Sequence, residues 1–149
     1  MQNFELVTEL QGLQRRDFPV ANPALIKPTN ANPLMDGEFL TLDSSYKLIR
    51  AADGNLAFAL FMEKGRFDVQ AMSEKKTMVL FGGTYEADTR VFTSSGLTLL
   101  GSLQVSASVT VDSLTKSGLA NYSSGAVIGH VTKLPANNGG RLRFLQTAV

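Results

Sequence analysis

The sequence predicts an all-β fold: a small antiparallel β-barrel or sandwich of eight or more strands, preceded by an extended proline-rich N-terminal arm. From residue 37 onward, short apolar runs are separated by turn signals at intervals of about 8–12 residues, a spacing typical of sandwiches and barrels. Amphipathic segments of helical length are missing. We therefore assign residues 1–36 to the arm and residues 37–149 to an antiparallel β-domain.

The arm is predicted from its proline spacing. Prolines at positions 19, 23, 28 and 33 prevent a continuous helix and remove backbone donors, so this stretch should run extended. Its apolar side chains are too many for a solvated coil and need a surface to cover. That surface belongs either to the chain's own domain or to a neighbouring subunit. Arg15 and Arg16 could anchor the arm to an acidic patch, although a solvated pair is the simpler interpretation.

The strands are predicted from alternation. In Leu103–Val111, apolar residues alternate strictly with polar ones, which indicates one buried and one wet face. Leu56–Met62 is apolar on both faces, as expected for a central strand. Similar patterns predict strands at Glu38–Asp43, Tyr46–Ala51, Thr77–Phe81, Tyr85–Phe92, Ala126–Leu134 and Arg141–Gln146.

Glycine-containing turns separate these strands. The clearest turn signals, which suit positive φ, are Asp53-Gly54, Gly82-Gly83 and Asn138-Gly139-Gly140. Weaker ones are Lys64-Gly65, Ser95-Gly96 and Ser124-Gly125. A turn or two of helix is expected at Asp112–Leu119, with Asp112 or Ser113 as N-cap and Gly118 as the stop.

The composition narrows the possible functions. The chain has 149 residues, a net charge of +1 and no cysteine, which excludes disulfides, cysteine-based zinc sites and cysteine nucleophiles. Basic and acidic residues are balanced, so no basic surplus indicates nucleic-acid binding. The longest apolar run is far shorter than a membrane span, and no secretory signal is visible. We expect a soluble protein without a nucleic-acid or membrane partner.

Candidate chemical groups are few. His130 is the single histidine, and no Gly-x-Ser-x-Gly elbow or phosphate-binding glycine loop accompanies it. Glu86 and Asp88 share one strand face at a separation that suits glycoside hydrolysis, but Arg90 beside them favours an ordinary solvated row of charges. We expect no catalytic residue, cofactor or bound metal.

Four segments carry a family resemblance. An early strand, GEFLTL at residues 37–42, precedes KLIRA at residues 47–51. A late strand, GAVIGHV at residues 125–131, precedes a glycine turn and the closing RLRFL at residues 141–145. This layout resembles the capsid decoration, or cement, proteins of tailed bacteriophages over most of residues 34–149. The shared marks belong to the fold and identify no functional residue.

The resemblance implies a non-enzymatic structural virion protein on the outer capsid surface. Such a protein binds the major capsid protein and bridges neighbouring subunits, itself forming a homodimer or homotrimer. The arm would act as a clasp, and its expected partner-binding residues are Arg15, Arg16, Phe18, Val20, Leu25 and Ile26. Two alternatives remain: a tail, fibre or baseplate module, and a non-catalytic carbohydrate- or peptide-binding β-sandwich.

Overall fold

The computed structural model describes residues 3–27, 29–61 and 76–146, and over these residues the fold is all-β, as predicted. The nine strands are β1 (Phe4–Pro19), β2 (Phe39–Leu42), β3 (Leu48–Arg50), β4 (Phe58–Leu60), β5 (Lys76–Thr89), β6 (Ser102–Val111), β7 (Leu114–Asn121), β8 (Gly129–Lys133) and β9 (Leu142–Gln146). Two short 3₁₀ turns lie at Pro23–Ile26 and Pro135–Asn137. The described ranges contain no α-helix.

The strands form one antiparallel sheet that curls into a nearly closed barrel. The order is β3-β2-β4-β5-β9-β8-β6-β7, and β1 pairs with β5 along its whole length. The two ends of this order meet where the Ser117 hydroxyl of β7 donates to the carbonyl of Ala51, just after β3, at 2.8 Å. The barrel alternative is therefore the one the structure adopts.

Two apolar clusters pack on opposite faces of the sheet. Ala59 and Leu80 belong to the larger cluster with Phe39, Tyr85 and Phe144, whereas their neighbours Leu60 and Val79 belong to the second. Because successive side chains of a strand point to opposite faces, the sheet has a core on each side at this point. The second face therefore needs a cover.

Residues 18–27 and 29–35 supply that cover. Phe18, Val20, Ile26 and Leu34 are buried in the second cluster, and the backbone N–H of Ala21 donates to the carbonyl of Leu48 at 3.0 Å. The prediction that these apolar residues cover a surface is confirmed, and the surface is the chain's own sheet. A separate N-terminal arm is not confirmed, because Phe4–Pro19 is the longest strand of the sheet.

A buried carboxylate fastens the cover to the barrel. Glu38 is fully buried and accepts hydrogen bonds from Arg50 Nε at 2.9 Å, the Met35 amide at 2.8 Å and the Ser117 amide at 3.1 Å. Lys116 Nζ donates to the carbonyl of Pro33 at 2.5 Å and lies 3.9 Å from Glu38. Burial lowers the pKa of Lys116, and the Glu38 charge opposes that shift. These contacts connect residues 33–38 with β3 and β7.

Two local predictions are wrong. Gly82-Gly83 does not form a turn, because β5 continues through both residues. The pairing of β5 with β1 is irregular here, and Gly12 and Gly83 adopt positive φ at this irregularity. The helix predicted at Asp112–Leu119 is β7 instead. Asp112 and Ser113, with φ of 50° and 68°, form the tight turn that joins β6 to β7. Two successive positive φ values are those of a hairpin turn, and they exclude a helix start.

Leu103–Val111 lies entirely within β6, and the strands predicted at Thr77–Phe81 and Tyr85–Phe92 are parts of the single strand β5. The other strand predictions in the described ranges are confirmed with shorter bounds. Gly54, Gly96, Gly125, Gly139 and Gly140 adopt the positive φ expected of the other turns. The turn predicted at Lys64-Gly65 lies outside the described residues.

Candidate functional site

The structure places most of the sequence-predicted partner-binding residues inside the chain's own fold. Phe18, Val20 and Ile26 are buried, and Leu25 is partly buried against the same cluster. Burial leaves the first three side chains little surface for another molecule. The apolar groups assigned to a clasp on a partner therefore hold the cover on this chain's own sheet.

Arg15 and Arg16 remain at the surface beside aromatic rings. The Arg16 guanidinium lies 4.7 Å from the Phe18 ring centre and 5.1 Å from that of Phe81, and Arg15 lies 5.7 Å from that of Phe61. Such stacking on aromatic faces is worth about 0.5–1 kcal/mol at exposed sites. The sequence suggested an acidic anchor for this pair. Arg15 does contact Glu9, but both arginines also stack on rings of their own sheet.

Of the charged row predicted from the sequence, Glu86 and Asp88 lie with Glu5, Arg141 and Arg143 in what we call the ion-pair face. The third member, Arg90, lies apart and contacts Asn3 and Asp112. Asp88 is buried and accepts from Arg143 Nε at 2.8 Å, while Arg141 Nη1 reaches Glu5 at 3.0 Å. Glu86 accepts from the Thr132 hydroxyl at 2.8 Å. Both carboxylates weighed as a hydrolase pair thus have hydrogen-bonding partners within the fold.

The pKa of Asp88 reflects these partners. Burial opposes its ionisation, but hydrogen bonds from Arg143 and Asn138, together with the charges of both arginines, outweigh burial and hold the pKa of Asp88 below its usual range. The hydrogen bond with Asp88 in turn raises the pKa of Arg143. A carboxyl stabilised as the anion is poorly suited to act as a general acid. The row is therefore best interpreted as structural.

A different region has the properties of an interaction surface. We call it the loop end, and it consists of residues 51–57, between β3 and β4, residues 96–101, before β6, and residues 122–128, between β7 and β8. Main-chain hydrogen bonds join residues 122–128 to residues 51–57 and to the start of β6, which directly follows residues 96–101. The Ala126 amide donates to the Gly54 carbonyl at 2.9 Å, and the Tyr122 amide donates to the Ser102 carbonyl at 3.0 Å.

The loop end is apolar and almost uncharged. Asp53 is its only charged residue. Five of its large apolar side chains are exposed: Leu56, Leu99, Leu100, Tyr122 and Val127. Leu99 is 59% and Leu100 is 70% exposed. Protein interfaces are depleted of charge at their core and enriched in aromatic residues, so this composition suits contact with another protein.

Hydrogen bonds to polar side chains hold these loops in one shape. The buried Gln104 side chain accepts from the amides of Ser123 and Ser124, at 2.5 and 3.0 Å. Asp53 accepts from the Ala107 amide at 2.7 Å, so the one charge is committed to the fold. A surface ordered before binding loses little conformational entropy when a partner docks.

Close backbone contact also defines the loop end. A Cβ on Gly125 would lie 2.4 Å from the Gly54 carbonyl oxygen, and a Cβ on Gly54 would lie 2.9 Å from that of Ser124. Both residues have positive φ, of 93° and 73°. Only glycine permits this approach. The turn signals Asp53-Gly54 and Ser124-Gly125 therefore mark the place where two distant loops meet.

Leu100 is held in a conformation that a bulky residue rarely adopts. Its φ is 62°, in the left-handed region that favours glycine, and its amide donates to the Val131 carbonyl at 2.8 Å. An exposed leucine in this region contributes little to the stability of the fold, because its side chain remains in water. Strain of this kind concentrates at functional sites.

Sequence reasoning identified the turns of the loop end but missed its convergence. The three segments are distant in the chain, and only the sheet order brings them together. The sequence does carry one signal, because residues 96–101, GLTLLG, place three leucines in a short uncharged stretch between two glycines.

Other site classes find no support in the described ranges. These residues include no group of three or more histidine, aspartate or glutamate side chains that could hold a metal ion. No helix within them is long and apolar enough to cross a membrane. His130 is partly buried on β8, with its backbone opposite Ser102.

Comparison with known proteins gives no further assignment: no protein-family model, curated protein or solved structure matches the chain.

Proposed function

We propose that this chain is a structural protein that attaches to the outer surface of a phage capsid through its loop end and stabilises the capsid by bridging neighbouring subunits. The proposal rests on three properties of the loop end. Its large apolar side chains are exposed, its single charged residue, Asp53, is hydrogen-bonded to the Ala107 amide, and its backbone is held in one conformation. The resemblance of residues 34–149 to decoration proteins supports a capsid as the partner.

The attachment is expected to depend on apolar burial. Covering a leucine side chain is worth about 1.5–3 kcal/mol, so Leu99 and Leu100 together supply a large share of a modest contact. Many identical copies on a particle would add such contacts repeatedly. Bridging also requires a second contact, which a homodimer or homotrimer of this chain would provide.

The proposal moves the capsid contact away from residues 1–36. Because Phe18, Val20 and Ile26 are buried against the chain's own sheet, the clasp expected there is replaced by the loop end. Arg15 and Arg16 are exposed and are proposed as secondary contacts.

A binding experiment with phage heads, that is, capsids that carry no decoration protein, tests this function. The double variant Leu99→Ser/Leu100→Ser should lower the affinity for heads at least about tenfold, which corresponds to 1.4 kcal/mol, without lowering the free energy of unfolding. Leu10→Ser is the matched control, because Leu10 is 55% exposed on β1 and belongs to none of the three segments of the loop end. Equal affinity of both variants, or no binding of the unmodified protein to heads, would contradict the proposal.

A further inference from the structure

A pocket of about 340 Å³ lies among elements that take no part in the loop end. It is formed by the chain just after β5, the hairpin of β6 and β7, and the connection between β8 and β9. The residues that matter to its chemistry are Arg90, Phe92, Ser94, Thr110, Asp112 and Gly140. Its volume falls within the range of about 300–1,000 Å³ that is usual for small-molecule sites.

The two charges of the pocket are only loosely paired. Arg90 Nη2 lies 3.5 Å from Asp112 Oδ1, and both side chains are partly exposed. Arg90 Nη1 is fixed by the side-chain oxygen of Asn3 at 2.8 Å. A bidentate arginine–carboxylate pair is shorter, at about 2.7–2.9 Å. The guanidinium and the carboxylate therefore keep hydrogen-bonding capacity that a ligand could use.

The remaining walls add hydroxyl groups and an aromatic ring. Ser94 and Thr110 are exposed, and the Phe92 ring is partly buried. Since Arg90 and Asp112 have opposite charges, the pocket favours neither an anion nor a cation. It suits a neutral ligand that accepts and donates hydrogen bonds through neighbouring atoms.

We propose that this pocket binds a carbohydrate through two vicinal hydroxyls. One hydroxyl oxygen accepts from Arg90 and the neighbouring hydroxyl donates to Asp112, while Phe92 supplies apolar surface for the sugar ring. Ser94 and Thr110 provide further hydrogen bonds. The site is separate from the loop end and does not depend on a capsid partner.

An NMR titration of the full chain with D-glucose, D-galactose and D-mannose tests this site. At least one sugar should cause saturable shifts of the backbone amides of Phe92, Ser94 and Asp112, with a Kd of about 1–10 mM. The probe 1,3-propanediol, whose hydroxyls are not vicinal, should leave these resonances in place. Equal shifts with this diol, or no saturable shift with any of the three sugars, would overturn the proposal.

Variants assign the binding to the pocket. Asp112→Asn keeps the side-chain size, and asparagine tolerates the positive φ of this position, so the fold is preserved. It should weaken sugar binding at least about tenfold. Ser113→Ala, in the same turn but outside the pocket, is the matched control. Unchanged affinity in Asp112→Asn would contradict the proposed contact, whereas Leu99→Ser/Leu100→Ser should bind sugar like the unmodified chain.

Discussion

The loop end and the ion-pair face use polar chemistry in opposite ways. On the ion-pair face, Asp88 is surrounded by Arg141, Arg143 and Asn138, so its charge is compensated within the chain. In the loop end, the carboxylate of the single charged residue, Asp53, accepts a backbone hydrogen bond, and five large apolar side chains point outward. Charged groups that are already paired within the chain add little to the binding of a partner. Exposed leucines favour binding, because a partner that covers them removes their apolar surface from water.

Because of this difference, we expect the ion-pair face to contribute to stability and the loop end to contribute to binding. Losing an ion pair from the ion-pair face should weaken the fold and leave binding intact. Losing an apolar side chain from the loop end should do the reverse. Variants of the two regions therefore test the comparison directly.

The largest effect on stability is expected at Gly125, where two loops of the loop end are in close backbone contact. Gly125→Ala places a methyl group against the Gly54 carbonyl oxygen at a position with positive φ, so the free energy of unfolding should fall by about 3 kcal/mol or more. Chemical denaturation measures this. Gly139→Ala is the control, because Gly139 also has positive φ but open space around it, and it should cost only about 1 kcal/mol. Equal losses would show that close loop contact is not what fixes the loop end.

The next effect concerns the ion-pair face. Asp88→Asn removes the charge that Arg141 and Arg143 share and should lower the free energy of unfolding by about 2 kcal/mol at neutral pH. Affinity for heads should not change. A loss of head binding without a loss of stability would instead assign the contact to this face.

The same carboxylate predicts an acid dependence. The folded-state pKa of Asp88 is lowered, so its contribution to stability is complete above the unfolded-state pKa and is lost as the pH falls through the folded-state pKa. Denaturation of the unmodified chain below about pH 4 should therefore show a steeper loss of stability than Asp88→Asn shows. Parallel curves for the two proteins would contradict the assignment of Asp88 as a paired anion.

The smallest effect on stability is expected at Leu100, where stability and binding should change in opposite directions. Leu100→Gly relieves the strain at φ 62° and should raise the free energy of unfolding by up to about 1 kcal/mol, while head binding weakens. Calorimetry and a head-binding assay measure the two changes. A variant that loses stability would show that the Leu100 side chain serves the fold.

The sequence predicted the elements whose pattern is local. Leu103–Val111 was recognised because its apolar residues alternate, and Asp53-Gly54 because its turn chemistry is specific. The hairpin partner β7 was missed because Lys116 and Ser117 occupy buried positions, where Glu38 and the Ala51 carbonyl satisfy them from distant parts of the chain. Those partners are invisible to a local pattern.

The first strand and the cover of the second apolar cluster were also harder to predict, because both depend on partners that are distant in the chain. β1 was interpreted as part of an arm because of the prolines at 19, 23, 28 and 33, although only Pro19, its last residue, lies within the strand. The apolar residues of 18–35 were correctly expected to cover a surface. Which surface they cover depends on the second core face of β4 and β5, which only the folded sheet defines.

Electron cryo-microscopy of phage heads incubated with the purified chain shows directly which surface of the chain contacts the capsid. We expect density for the chain on the outer surface, with residues 51–57, 96–101 and 122–128 against the capsid and the ion-pair face in solvent. Density that places the ion-pair face against the capsid, or heads that remain bare, would contradict it.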